Sequence, residues 1–236
     1  MDAKLLAELN AERAARRAAI LATDLEAGTA RLYRERHGEA GLLGDALTKA
    51  FDSAKSGTID VDGRALFLNV HVPPARLVII GAVHISQALA PMARLAGFDV
   101  EIIDPRTAFA TPDRFRDVQL HAEWPDAVLA QRPLDTFTVL AAVTHDPKID
   151  DFPIQAALEA GSFYVGALGS RKTHATRVER LRAAGLPDEL IDRIRAPIGL
   201  PIGAASPAEI AVAVLAQIIE ALRSRASRPM AAETQA

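Results

Sequence analysis

Two glycines, Gly81 and Gly169, each stand where an apolar run gives way to a predicted helix. In Arg76-Leu-Val-Ile-Ile-Gly81-Ala-Val-His84 the run ends just where the helix must begin. Free backbone N–H groups and the positive end of the helix dipole then face the loop, so a phosphate or pyrophosphate is stabilised without any side chain. Asp104 follows Gly81 by 23 residues, near the place where the acid of a dinucleotide fold meets a ribose hydroxyl. The G-x-G-x-x-G fingerprint is incomplete, because Val83 and Ser86 hold its second and third glycine positions. A β-branched Val83 limits how closely the backbone approaches a pyrophosphate, which disfavours NAD or FAD in the usual pose. A tight strand-to-helix turn that binds nothing would carry the same residues.

Asp104-Pro105-Arg106-Thr107 ends the next apolar run. Arg106 could grip a phosphate bidentately or stack on a flat heterocycle; equally, Asp104 and Arg106 could pair only with each other. His84 could donate to a ligand oxygen or be a satisfied polar residue at a helix start. Thr144-His145-Asp146 follows a third run and reads as a further ligand contact, or as an Asp146 cap before Pro147 with His145 in solvent. Gly166-Ala-Leu-Gly169-Ser170-Arg171-Lys172-Thr173-His174 places two cations and two hydroxyls at a helix start. Cations there oppose the helix dipole unless an anion lies between them, so the arrangement argues for a bound phosphate or carboxylate, the alternative being a solvated pair. Pro197-Ile-Gly199-Leu-Pro201-Ile-Gly203 is a stiff loop that could close over such a site. The spacing gives no nucleophile–base–acid triad and no repeated metal-ligand pattern, so neither catalytic residues nor metal ligands are assigned.

These residues need a parallel sheet to position them. The runs Leu77–Ile80, Val100–Ile103, Val139–Val143 and Phe163–Val165 lack alternation, as strands covered on both faces do. Helices are predicted between them over His84–Ala96, Ile154–Ala160 and Thr173–Ala183, ending near Gly97, Gly161 and Gly185. Ser206-Pro-Ala-Glu209 opens a last helix as a capping box running to about Arg223. Upstream, residues 1–19 suit a surface helix; Ala18–Thr23, Thr29–Arg34, Thr58–Val61 and Ala65–Val72 suit strands, and Leu42–Ser53 a helix. Pro73-Pro74 marks a boundary. The expected organisation is therefore α/β: a small α+β domain over 1–73, a Rossmann-like parallel-sheet domain over 74–225, and a disordered tail over 226–236.

Half of the 236 residues are hydrophobic, enough for a sizeable core. With 27 basic and 30 acidic residues interspersed, for a net charge of −3, no broad positive surface is available to nucleic acid. The absence of cysteine excludes disulfides and thiolate chemistry and points to a reducing compartment. Charges break up the first 20 residues and no apolar stretch is long enough for a membrane span, so a soluble, cytoplasmic protein is expected.

Together, Gly81-Ala-Val-His84-Ile-Ser-Gln-Ala-Leu, Asp104-Pro-Arg-Thr-Ala-Phe109-Ala, Thr144-His-Asp146, Tyr164-Val-Gly-Ala-Leu-Gly169-Ser-Arg-Lys-Thr-His174 and Ala196-Pro-Ile-Gly199 through Ser206-Pro-Ala-Glu209-Ile make the chain resemble the XdhC/CoxI family of xanthine dehydrogenase accessory proteins. The resemblance implies a non-catalytic maturation factor. Such a protein binds molybdenum cofactor, as molybdopterin or its dinucleotide, and hands it to an apo-molybdenum hydroxylase of the xanthine dehydrogenase type, often alongside a sulfurase. The cofactor-binding residues would then be Gly81, His84, Asp104, Arg106, His145, Asp146, Gly169, Ser170, Arg171 and His174. A homodimer is also implied, helped by a first helix with little to bury against. Many members carry glycine where Val83 stands, and a Cys-x-Glu segment near the N-terminus that this chain lacks. Any grip on the cofactor here must therefore come through phosphate, pterin edge, or oxygen and nitrogen ligands. The alternative reading is an NAD(P)-dependent oxidoreductase.

Overall fold

The computed structural model describes residues 2–35 and 38–225; the tail expected over 226–236 lies outside them. The chain divides into two compact units, the first reaching Pro73 and the second spanning Pro74–Arg223.

In the first unit α1 (Ala3–Ala14) is followed by β1 (Ala19–Asp24), β2 (Ala30–Arg34), α2 (Gly41–Ser53), β3 (Gly57–Val61) and β4 (Arg64–His71). The strands form an antiparallel sheet in the order β2-β1-β4-β3. Period-2 alternation along β1 sends Ile20 and Ala22 to the Leu47 and Ala50 side of α2, and Ala19 and Leu21 toward Leu9 of α1. The first helix stops well short of residue 19. Arg16 takes a left-handed φ of 52°, which returns Arg17 to the buried Glu12, whose carboxylate also accepts from Arg34. Leu9 is buried, so the expectation that this helix has little to bury against is corrected, and with it that support for a dimer.

The second unit contains β5 (Arg76–Ile80), α3 (His84–Leu95), β6 (Asp99–Ile103), β7 (Gln119–His121), α4 (Pro125–Gln131), β8 (Thr138–Ala142), α5 (Pro147–Glu159), β9 (Tyr164–Ala167), α6 (Arg171–Ala183), α7 (Asp188–Ile191), β10 (Ile194–Arg195) and α8 (Pro207–Arg225). Its strands are parallel, in the order β10-β9-β8-β5-β6-β7. Taken from the β7 edge, that order is the dinucleotide-fold sequence 3-2-1-4-5-6, and its direction reverses between β5 and β8. Helices cover both faces, which is why the central strands carry continuous apolar runs such as Leu77–Ile80 and Val139–Ala142. Leu77 and Ile79 pack with Leu89, Ala93, Val214 and Ile218 of α3 and α8. Val78 and Ile80 pack with Ile154, Leu158, Leu181 and Ile191 of α5, α6 and α7.

Four elements go beyond the sequence expectations: β7, α4, α7 and β10. In addition, α5 starts at Pro147 rather than Ile154, because Pro147 occupies the first turn, where a missing N–H costs nothing. The last helix starts as expected: Ser206 Oγ accepts from Glu209 N, and Glu209 Oε2 accepts from Ser206 N. The loop before it is not a free flap. Gly199 donates to Gln217 Oε1 at 2.9 Å and Leu200 donates to Ala213 O at 3.1 Å, which ties the loop to α8. Among the described residues no helix is long and apolar enough to cross a membrane.

Candidate functional site

Because the strands of the second unit are parallel, the loops at Gly81, Asp104, Thr144 and Gly169 emerge from one edge of the sheet. The loops after β5 and β8 flank the reversal point, where open α/β sheets leave a crevice. The Gly169 loop lies two strands from Gly81, roughly 10 Å along the edge.

Gly81 has φ of 118° and donates to Ile103 O at 2.8 Å, so the chain leaves β5 in a conformation that L side chains rarely adopt. A Cβ there would also stand 2.8 Å from Thr144 Cγ2; the glycine lets the two crevice loops touch. Ser86 fills the third glycine position differently, turning its buried hydroxyl back onto Gly81 O at 2.5 Å. Val83 caps α3 without a side-chain bond, so the first amides of the helix are left to solvent or a ligand, and exposed His84 stands beside them.

Asp104 sits differently from the ribose-facing acid the sequence suggests. Its carboxylate is fully buried and accepts from Ala82 N at 2.7 Å and from Arg106 N, Nε and Nη2 at 2.8–2.9 Å. Burial opposes its ionisation, yet the Arg106 guanidinium and these amides hold its pKa below the usual carboxylate range. Of the two readings of Arg106, the paired one is present: its edge is occupied by Asp104, and one face lies over Phe109 at 4.7 Å. Asp104 raises the pKa of Arg106 first, and Asp146 and Asp150 add to the effect across the crevice.

At the β8 loop, His145 is exposed and holds a φ of 65°, an uncommon conformation for a residue with a Cβ. Asp146 accepts from Lys148 N at 3.0 Å and so caps α5. Thr144 Oγ1 accepts from Asp146 N and donates to Asp150 Oδ1 at 2.7 Å. Sequence reasoning missed Asp150. It is 1% exposed, and burial pushes its pKa up to about 6 despite help from Thr144 and the Arg177 cation.

At the β9 loop, Gly169 has φ of 133°. Ser170 caps α6 by accepting from Thr173 N at 3.2 Å, and its carbonyl takes His174 N. The amides of Arg171 and Lys172 stay open at the helix start, and both side chains are exposed. His174 turns partly inward; burial, then the nearby Arg177, lowers its pKa. Arg177 is the second residue missed. Its signal is a charged residue on the inward stripe of a helix whose large apolar residues are only Val178 and Leu181.

The structure therefore gathers Gly81, His84, Arg106, His145, Asp146, Gly169, Ser170 and Arg171 along one edge, with Asp104 behind it as a brace and His174 half turned away. Among the described residues no group of three or more His, Asp or Glu is placed to hold a metal. This edge can bind an anion through amides and a flat ring against Arg106 and Phe109.

Several known proteins are similar to this chain. It is 34% identical over 146 residues to the molybdenum cofactor insertion chaperone PaoD of Escherichia coli, covering 62% of this chain and 40% of that protein. It is 32% identical over 156 residues to a Bacillus subtilis protein named as a probable xanthine dehydrogenase component, covering 66% and 45%. It is 35% identical over 161 residues to the uncharacterized protein YqeB of Escherichia coli, covering 66% and 29%. The chain thus spans less than half the length of these relatives. A solved structure described as a xanthine dehydrogenase from Bacillus halodurans shares the fold, with a TM-score of 0.66 at 24% identity, over 98% of this chain and 71% of that one. The family described as the XdhC Rossmann domain matches residues 77–218, more than half of the sequence, and the chain belongs to that family.

Proposed function

We propose that the chain is a carrier of molybdenum cofactor, accepting molybdopterin or its dinucleotide at the carboxyl edge of the parallel sheet and passing it to an apo-molybdenum hydroxylase of the xanthine dehydrogenase type. The observation that carries the reading is the pair of glycine-started helix ends on either side of β8, each presenting open amides. A phosphate or pyrophosphate suits those amides, and the roughly 10 Å between the loops suits an elongated ligand with more than one polar group. Arg106 backed by Phe109 offers a face for a pterin or a base, and Arg171 and Lys172 offer charge. The likeness to PaoD, named as an insertion chaperone, supports this cargo over others. The chain has no cysteine, so its hold is on the organic part of the cofactor rather than on the metal by thiolate.

The competing NAD(P) reading is weakened by Asp104, whose oxygens are already taken by Ala82 and Arg106. Native mass spectrometry of the purified chain with added molybdopterin, its cytosine dinucleotide, NAD and NADP separates the readings. The carrier reading expects a pterin adduct and cofactor-dependent activation of an apo-hydroxylase. An adduct with NADP alone would replace it with the oxidoreductase.

A further inference from the structure

A cavity of about 280 Å³ opens between the first turns of α5 and α6, lined by His145, Lys172, Thr173, Thr176, Arg177 and Arg180. Positions 173, 176, 177 and 180 share one side of α6, on which Thr173 and Thr176 are exposed, Arg180 is half-buried and Arg177 is buried. Arg177 is only 2% exposed. Its Nη2 donates to Leu168 O at 3.1 Å, while Nε and Nη1 have no hydrogen-bond partner among the described residues. The neighbouring acids do not supply one. Asp151 is closed on Arg180 through two bonds of 2.6 and 3.0 Å, and Asp150 attracts Arg177 electrostatically but directs Oδ1 to Thr144.

A buried guanidinium with two unpartnered nitrogens is costly unless something completes it, and its planar fork matches a phosphate. The open amides of Arg171 and Lys172 and the exposed Lys172 ammonium add to the same electrostatic pull at the start of α6. Thr173 and Thr176 bring hydroxyls to the wall. We infer that the α5–α6 groove is a phosphate-binding subsite in which Arg177 and Lys172 clasp the anion above the amino end of α6. The inference goes beyond the cargo reading, because it requires only a phosphate group, free or at the end of a larger ligand, and stands whether or not the edge takes a pterin.

The test is thermal unfolding of the whole chain in phosphate-free buffer with added inorganic phosphate, and in a parallel arm with a nucleoside monophosphate. Wild type gains melting temperature with phosphate at about 10 mM, and Arg177→Met does not. Without phosphate Arg177→Met melts below wild type, because the bond to Leu168 O and the attraction to buried Asp150 are lost, so each variant is compared with its own phosphate-free baseline. Lys172→Ala, an exposed change that spares the core, weakens the phosphate dependence by about tenfold, the equivalent of one charge-assisted hydrogen bond. A monophosphate acting at lower concentration than the ion assigns the phosphate to a nucleotide; equal potency assigns it to the free ion. Equal protection of wild type and both variants overturns the subsite, as does a wild type indifferent to both ligands. If Arg177→Met fails to fold, an unchanged phosphate response in Lys172→Ala overturns it alone.

Discussion

The Asp104 carboxylate holds the Arg106 guanidinium edge-on, at 2.9 Å from Nε and 2.8 Å from Nη2. The Nε/Nη2 edge of Arg106 is therefore occupied, and the guanidinium presents a flat face backed by Phe109. Replacing Asp104 by Ala strands the Ala82 amide and frees the arginine. We expect a loss of about 2–4 kcal/mol, read from the urea midpoint, with a smaller loss for Asp104→Asn. An unchanged midpoint in Asp104→Ala would show that the brace contributes nothing to stability.

Gly81→Ala is expected to destabilise by about 2–4 kcal/mol, combining a positive φ with a contact on Thr144. Since the close atom is Thr144 Cγ2, adding Thr144→Ser should recover the steric part and leave the backbone part. A double-mutant cycle measures the coupling, and additive losses would refute the contact.

Asp150 titrates against the fold. Its pKa rises from 3.8 to about 6, so between those values the folded state binds more protons than the unfolded one and stability falls as pH rises. Relative to Asp150→Asn, the wild type should gain up to roughly 3 kcal/mol on acidification from above pH 6 to below pH 4. The lowered pKa values of His71 and His174 act in both proteins and drop out of the difference. Parallel stability–pH curves would disprove the shift.

Ser170 and Arg171 are adjacent but should fail differently. Ser170→Ala removes the α6 cap and should cost about 1 kcal/mol of stability. Arg171→Ala, at an exposed position, should leave stability within about 0.5 kcal/mol yet weaken a phosphate-bearing ligand by roughly fivefold to tenfold. Calorimetry together with unfolding separates the two, and equal ligand affinity in Arg171→Ala would exclude that side chain.

The parallel sheet was legible because strands covered on both faces leave continuous apolar runs, as Leu77–Ile80 and Val139–Val143 do. β7 and β10 escaped because one has three residues with a single large apolar side chain and the other has two residues in all. Pro147 and Pro153 hid the beginning of α5, although a first-turn proline is a start signal. The edge loops were legible from glycines after apolar runs. Their internal contacts were not: whether Asp104 faced a ligand or its neighbour depended on Ala82, 22 positions away in sequence. Arg177 was invisible because an arginine six residues into a polar helix looks solvated until the stripe it shares with Leu181 is known to turn inward.

The strand order has an electrical consequence. α3, α5 and α6 each follow a strand of the same sheet, so their partial positive charges add along one rim of a molecule whose formal charge is −3. From many ångströms away the whole repels polyanions, while at contact range its rim draws small ones. Added salt erases the distant repulsion first and leaves the short-range attraction largely intact, so capture of a small anion here should depend far less on ionic strength than a surface of scattered lysines would.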